Sequence, residues 1–290
     1  MARLKDKIYI ITGATSGIGK RAAEVFALLV LLSSAPVFAQ GNVPGVTLAN
    51  TEQRAITSTK IGQRYDLLVS LPEDYATSGK VYPVLYVLDG WHFPLMAFLQ
   101  SNSLYSKRMP PVITVNISHG TTNEMALRLR DFTPIRVANE PGSGGAPLFL
   151  EFFEKDVVPF VERTYRTIPT DRALLGHSLG GLFALYALEH RPALFQRIVA
   201  ASPSVQWRNH AFFPTLDRFK GGNTPVRLDL SHGDEEPGGV AAFVKLLDEA
   251  KLANVDYRFT VYRGENHNSV RLVSFPAGLY WVYKPLTSTR

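Results

Sequence analysis

Short apolar runs alternate along most of this chain with stretches in which apolar residues recur every three or four positions. The run Arg172-Ala173-Leu174-Leu175 reads as a buried strand, and Leu179 to His190 carries apolar residues at helical spacing. Extending the same reading predicts strands near 54–60, 63–71, 83–89, 111–117, 172–177, 196–201, 225–231 and 256–262. It predicts helices near 92–103, 147–164, 179–190, 237–252 and 270–284. Alternating strands and helices argue for a mostly parallel sheet with helices on both faces, an α/β fold. The first two strands lie close together and are expected to form an antiparallel edge hairpin. Thr121 to Ala146, with Pro134, Pro141 and Gly142-Ser143-Gly144-Gly145, is the longest stretch read as irregular. It follows a strand end, so a substrate-pocket loop is expected there.

Between the strand at 172–177 and the helix at 179–190 stands Gly176-His177-Ser178-Leu179-Gly180, a G-x-S-x-G pentapeptide. A serine on so tight a strand-to-helix turn projects its hydroxyl from the sheet edge, the arrangement of a nucleophile elbow. Such a serine needs a base, and the base needs a carboxylate to orient it, in the chain order Ser, acid, His. Four histidines follow Ser178. His190 ends the elbow helix, His210 sits in a polar stretch, and His232 precedes the turn expected to carry the acid. His267 follows the last strand through the polar turn Arg263-Gly264-Glu265-Asn266, where a side chain can reach back over the serine, and it is the candidate base. The acid is expected in Gly233-Asp234-Glu235-Glu236; the spacing G-x-x-acid selects Glu236, with Asp234 as the alternative.

Several motifs now resemble one family in order. They are Tyr65-Asp66-Leu67-Leu68-Val69-Ser70-Leu71-Pro72, Tyr82 to Gly90, Arg128-Leu129-Arg130-Asp131-Phe132-Thr133-Pro134, the elbow through Gly181, Ala201-Ser202-Pro203-Ser204 and His267-Asn268-Ser269-Val270. From about Val46 to Tyr283 the chain resembles the esterase D and enterochelin-esterase family of α/β hydrolases. The resemblance implies an α/β-hydrolase fold and ester hydrolysis through an acyl-enzyme. The Arg-x-Arg-Asp-x-Thr-Pro segment resembles the bacterial siderophore-esterase branch, which implies catecholate trilactone esters; other branches act on feruloyl, formylglutathione or mycolyl esters.

Oxyanion donors are expected at the Leu179 N–H and in the loop Asp89-Gly90-Trp91, either Trp91 or Gly90. Arg130 is the candidate polar specificity residue, with a structural ion pair to Asp131 as its other reading. Trp91, Trp207 and Phe132 are candidates for an aromatic wall. The mechanism requires no metal and no organic cofactor.

The opening of the chain fits a different picture. Lys7 to Ile11 followed by Thr12-Gly13-Ala14-Thr15-Ser16-Gly17-Ile18-Gly19 resembles the cofactor motif of a short-chain dehydrogenase. The acid expected about 20 positions later to bind the ribose is missing, since no Asp or Glu occurs between Glu24 and Glu52. One βα unit does not make a dinucleotide site, so residues 1–24 are read as a fragment. Residues 25–39, Val25 to Ala39, resemble the apolar core and small-residue cleavage site of a secretory signal. Export to the periplasm or medium would follow if that segment acts as one, and a cytoplasmic location otherwise. Residues 40–290 remain as a single catalytic domain.

Charge and composition add little beyond this. The net charge is +6, and residues 1–39 hold five Lys/Arg against two Asp/Glu, leaving +3 on the remainder. With no basic stripe, that balance argues against a nucleic-acid partner. Cysteine is absent, which excludes disulfides, thiol catalysis and Cys-ligated metals. The apolar run at 25–39 is too short and interrupted for a stable membrane span. An acyltransferase with the same triad, or a non-catalytic binding protein on the scaffold, are the alternative functions. The sequence leaves the oligomeric state open.

Overall fold

In the computed structural model, residues 48–101, 107–121, 123–206, 224–236 and 239–284 are described. The dehydrogenase-like fragment 1–24, the signal-like segment 25–39 and Trp207 lie outside them. The described residues belong to one unit, Leu48–Arg290.

Among the described residues eight strands form one sheet: β1 (Thr51–Ser58), β2 (Gln63–Ser70), β3 (Tyr82–Leu88), β4 (Ile113–Ser118), β5 (Thr167–His177), β6 (Arg197–Ala201), β7 (Val226–Gly233) and β8 (Val255–Tyr262). Their order is β1-β2-β4-β3-β5-β6-β7-β8. β2 runs antiparallel to both β1 and β4, while every pairing from β4 to β8 is parallel. The expected edge hairpin is present, and this is the α/β-hydrolase fold.

Strand alternation divides the core between the two faces. Val84, Tyr86 and Leu88 of β3, Leu174 of β5 and Ile198 and Ala200 of β6 point to one side. There they meet helices α4 (Ala146–Phe152), α5 (Val158–Thr164), α6 (Leu179–His190) and α7 (Gly239–Ala250). Leu85, Val87, Ala173, Leu175, Val199 and Ala201 point to the other side, against α2 (Phe93–Ser101) and α8 (Val270–Val282). Because both faces are covered, the central strands read as continuous apolar runs. A short helix α1 (Tyr75–Ser78) joins β2 to β3.

Several elements differ from expectation: β5 begins at Thr167 rather than near 172, and the short helix α1 has no counterpart among the expected helices. The helix expected at 147–164 is α4 and α5 joined by a π-helical turn, Phe153–Val157, which widens the spiral locally and points Phe153 and Val157 inward. The stretch expected to be irregular contains helix α3 (Glu124–Phe132). Its sequence hides the helical period because its buried face holds Arg128 and Asp131 beside Phe132. Positions i, i+3 and i+4 do share a face, but two of them are charged.

α6 is buried from Leu179 to Glu189, so a polar face is lacking and its stability comes from packing. Phe183 is fully buried and contacts the rings of Phe132, Phe149 and Tyr186. Phe183→Ala is expected to lower the unfolding free energy by about 3–5 kcal/mol through cavity formation, measured by urea titration.

Candidate active site

Parallel strands leave their C-terminal ends along one edge, and ligands bind outside that edge. Ser178 sits there, between β5 and α6, with φ 60° and ψ −120°. A non-glycine residue in that region costs about 1–3 kcal/mol and persists only when its surroundings fix it. They do so here from both sides. The Ser178 N–H donates to the Ala201 carbonyl at 3.0 Å, and its carbonyl accepts from Leu182 N at 2.9 Å and Ser204 N at 3.1 Å. A side chain on Gly176 would place its Cβ 2.2 Å from the Gly180 carbonyl oxygen, so the turn closes only with glycine there.

The other candidates arrive on neighbouring strands. Gly233 pairs with Tyr262 at the ends of β7 and β8, so the connections carrying Glu236 and His267 start at the same height. They also touch: a Cβ on Gly233 would lie 1.9 Å from the Glu265 carbonyl oxygen. His267 Nδ1 lies 2.7 Å from Glu236 Oε2. Glu236 Oε1 accepts from Ser202 Oγ at 2.6 Å and from Gly233 N at 2.8 Å. Burial alone would raise the Glu236 carboxyl, but the bonds from Ser202, His267 and Gly233 outweigh it and hold it below the usual glutamate range. An ionised carboxylate at Nδ1 fixes the imidazole with its hydrogen on that nitrogen.

Asp234, the alternative acid, is turned elsewhere. Its Oδ1 accepts from Gly264 N at 2.7 Å, which caps the turn before His267. The Ser178 hydroxyl lies 3.3 Å from Ser204 Oγ. An open cleft of about 560 Å³ lies over the acid and the base, lined by Ser202, Ser204, Gln206, Glu236, Asn266 and His267 among others. His232 is buried beside it with Nδ1 2.6 Å from the Gly233 carbonyl oxygen, and His190 is bound to the Tyr186 carbonyl at the end of α6.

The Leu179 N–H opens α6, where helical N–H groups lack an intrahelical acceptor. Gly90 and Trp91 belong to a 3₁₀ turn, Gly90–His92, one residue beyond β3, and Trp91 is 44% exposed. The residue before that turn, Asp89, is fully buried with φ 73°.

Arg128, absent from the sequence-derived candidates, grips this turn. It is 4% exposed and binds Asp89 through two bonds, Nε to Oδ1 at 2.7 Å and Nη2 to Oδ2 at 3.0 Å. Nη2 also donates to the His177 carbonyl at 3.4 Å, and the guanidinium lies 5.1 Å from the Trp91 ring. Arg130 instead pairs with Asp131 at 2.7 and 3.0 Å and donates to Tyr65 Oη at 3.2 Å, its ion-pair reading. Phe132 is fully buried against Phe149, Phe183 and His119. Once the helix is known, its periodicity separates the two arginines. Arg128 shares a face with Phe132 four residues on, whereas Arg130 does not. Among the described residues no group of three or more His, Asp or Glu is placed to hold a metal ion.

Arg128→Met leaves the Asp89 carboxyl buried with its main partner gone. Unfolding by urea is expected to show a loss of about 3–5 kcal/mol. Arg130→Met should cost less, because Asp131 keeps its bonds to Tyr65 at 2.7 Å and His119 at 3.0 Å.

The comparisons with known proteins agree with this architecture. The model of the Esterase family matches residues 58–240. The ferri-bacillibactin esterase BesA of Bacillus subtilis is 27% identical over 272 residues, covering 84% of this chain and 93% of that protein. Among solved structures, the BES protein from Bacillus cereus superposes with a TM-score of 0.75 at 26% identity, over 83% of this chain and 98% of that one. An IroE-like serine hydrolase from Shewanella oneidensis gives 0.71 at 26% identity, over 82% of each chain. With its fold, its strand-to-helix serine turn and these relatives, the chain belongs to the Esterase family, as an enterochelin-esterase-like serine esterase of the α/β-hydrolase fold.

Proposed function

We propose that Ser178 is the nucleophile, His267 its general base and Glu236 the orienting acid, acting on esters of the siderophore type. The observation that carries the assignment is the 2.7 Å contact of His267 Nδ1 with Glu236 Oε2, beside a serine held at positive φ. In the first step His267 Nε2 takes the proton from the Ser178 hydroxyl as Oγ attacks the ester carbonyl. For this the hydroxyl exchanges Ser204 for His267, a tightening usual when substrate binds. The tetrahedral oxyanion collects hydrogen bonds from the Leu179 and Trp91 N–H groups, each worth about 2.7–4 kcal/mol. His267 then returns its proton to the departing alkoxide, leaving an acyl-Ser178 ester. Water, deprotonated by His267, cleaves that ester and regenerates the hydroxyl.

The substrate class rests on the Bacillus subtilis relative, whose name is that of a ferri-bacillibactin esterase. A catecholate trilactone presents several esters and aryl rings, and the exposed Trp91 ring beside the oxyanion turn gives such rings a surface. The polar specificity role expected of Arg130 is not part of this reading, since its guanidinium is committed to Asp131 and Tyr65.

Residues 40–290 form the catalytic domain in this reading, and residues 25–39 direct export. No helix among the described residues is long and apolar enough to cross a membrane. The N-terminal fragment does not bind NAD(P). The Tyr-x-x-x-Lys pair that a short-chain dehydrogenase would need for its chemistry occurs in this chain only as Tyr280 to Lys284, in the helix Val270–Val282 and the residues just after it.

Ser178→Ala should reduce turnover of a catecholate trilactone and of p-nitrophenyl esters by as much as about 10⁶ while the circular-dichroism spectrum stays unchanged. A variant keeping a tenth of the activity refutes the nucleophile. Glu236→Gln is expected to lower kcat by about 10²–10⁴ and Asp234→Asn by less than about tenfold. The reverse ranking in steady-state kinetics would move the acid to Asp234. Removing residues 1–39 should leave hydrolysis intact, and calorimetry of the full chain with NADH or NADPH should show no saturable heat.

A further inference from the structure

The second residue of the elbow, His177, has no part in the steps above, yet it is tied to the base. It is 4% exposed, and its Nε2 lies 2.7 Å from the main-chain carbonyl oxygen of His267. The two imidazole rings are 4.6 Å apart, tilted by 45°. On its other side His177 meets the ring of His92 at 6.4 Å, edge-on, and His92 is in turn packed edge-on to Phe275 at 5.0 Å. The imidazole is therefore set within a row of rings that leaves it little freedom to rotate.

A carbonyl oxygen can only accept, so His177 Nε2 carries the hydrogen. Burial, and next the neighbouring His267, push the His177 imidazole down to about 2. The ring is then neutral at working pH and has this one N–H to give.

We propose that His177 is a positioning residue for ester hydrolysis, its Nε2–H fixing the His267 backbone over the nucleophile turn. The proposal rests on Ser178 and His267 acting as nucleophile and base. His267 stands on a connection beyond β8, with its side chain 43% exposed and its ring held at Nδ1 by Glu236. That bond sets the tautomer and the face of the ring, but a ring held at one nitrogen can still swing with its loop. The carbonyl bond supplies a second fixed point, and its donor is the residue joined by a peptide bond to Ser178. Nucleophile and base are thereby linked through one peptide unit, one side chain and one hydrogen bond. Misplacement by about 1 Å can cost on the order of 10²-fold in rate. Because His177 is buried, its loss should act on kcat and leave KM near the parent value.

The test compares His177→Leu, which removes the donor, with His177→Gln, whose amide N–H reaches a position similar to Nε2. His177→Leu is expected to lower kcat by about 30–100-fold with KM within about threefold, and His177→Gln to recover most of that loss. Nitrogen-15 NMR of histidine-labelled parent protein should show an Nε2–H tautomer that does not titrate between about pH 5 and 9. The proposal is overturned by a folded His177→Leu with kcat within about threefold of the parent, or by a folded His177→Gln no better than His177→Leu. It is equally overturned by a His177 ring that titrates in that range or carries its hydrogen on Nδ1. The NMR result decides the matter if the variants do not fold. An inactive Ser178→Ala beside an unimpaired His177→Leu would sink this proposal alone, whereas an active Ser178→Ala would sink the reading beneath it.

Discussion

Ser178 is held at φ 60°, ψ −120° by three hydrogen bonds to two parts of the chain, and the rest of the site is arranged around that point. A conformation costing about 1–3 kcal/mol must be enforced by what surrounds it. The enforcement comes from β5 and α6, which are buried on either side, and from the end of β6 and the segment after it, which supply Ala201 and Ser204. Burial of α6 along nearly its whole length contributes far more than the strain removes, so the turn is a consequence of helix packing. The same segment after β6 provides Ser202, which binds Glu236. The serine turn and the acid are thus stabilised by one short stretch, Ala201 to Ser204.

Beneath the site lies an unusual amount of charge. Asp89, Arg128 and Asp131 are all nearly or fully buried, and each has partners at hydrogen-bond distance. A buried ion pair contributes little net stability compared with an apolar replacement, because removing both charges from water offsets their attraction. What the Asp89–Arg128 pair does supply is a defined geometry. Asp89 occupies a positive φ that only a strong anchor would maintain, and the Gly90–His92 turn follows from it. The same guanidinium reaches the His177 carbonyl, so the two turns bordering the site share one cation.

Much of this was legible in the residues. Continuous apolar runs placed the parallel strands, because a strand covered on both faces has no polar side to show. The elbow was legible because a tight strand-to-helix turn demands glycine at fixed offsets, as Gly176 demonstrates. The loops carrying the acid and the base were legible from the chain order Ser, acid, His and from the G-x-x-acid spacing, but the choice between Glu236 and Asp234 needed the side-chain contact of Glu236 with His267. The helix Glu124–Phe132 was not legible, and its concealment has a physical cause. Periodicity assumes that buried means apolar, and this helix buries Arg128 and Asp131. Taken as a loop, the segment offered no reason to prefer Arg128 over Arg130, or to place Phe132 in the core. The π-helical turn within 147–164 was hidden for a related reason: one wide turn shifts the phase of a helix without interrupting its apolar character.

The pairing of Gly233 with Tyr262 has a consequence for how this site can vary over evolutionary time. Glu236 lies three residues beyond one strand end and His267 five beyond the other, and their side chains meet at 2.7 Å. An extended residue advances the chain by about 3.3 Å. A single insertion or deletion in either connection therefore displaces one partner by more than the length of the bond between them. These two connections can change in composition but not in length, whereas the β1–β2 turn at the far edge of the sheet can lengthen without touching the site. Descendants of this sequence should accumulate gaps at that edge and keep the spacings Gly233 to Glu236 and Tyr262 to His267 constant.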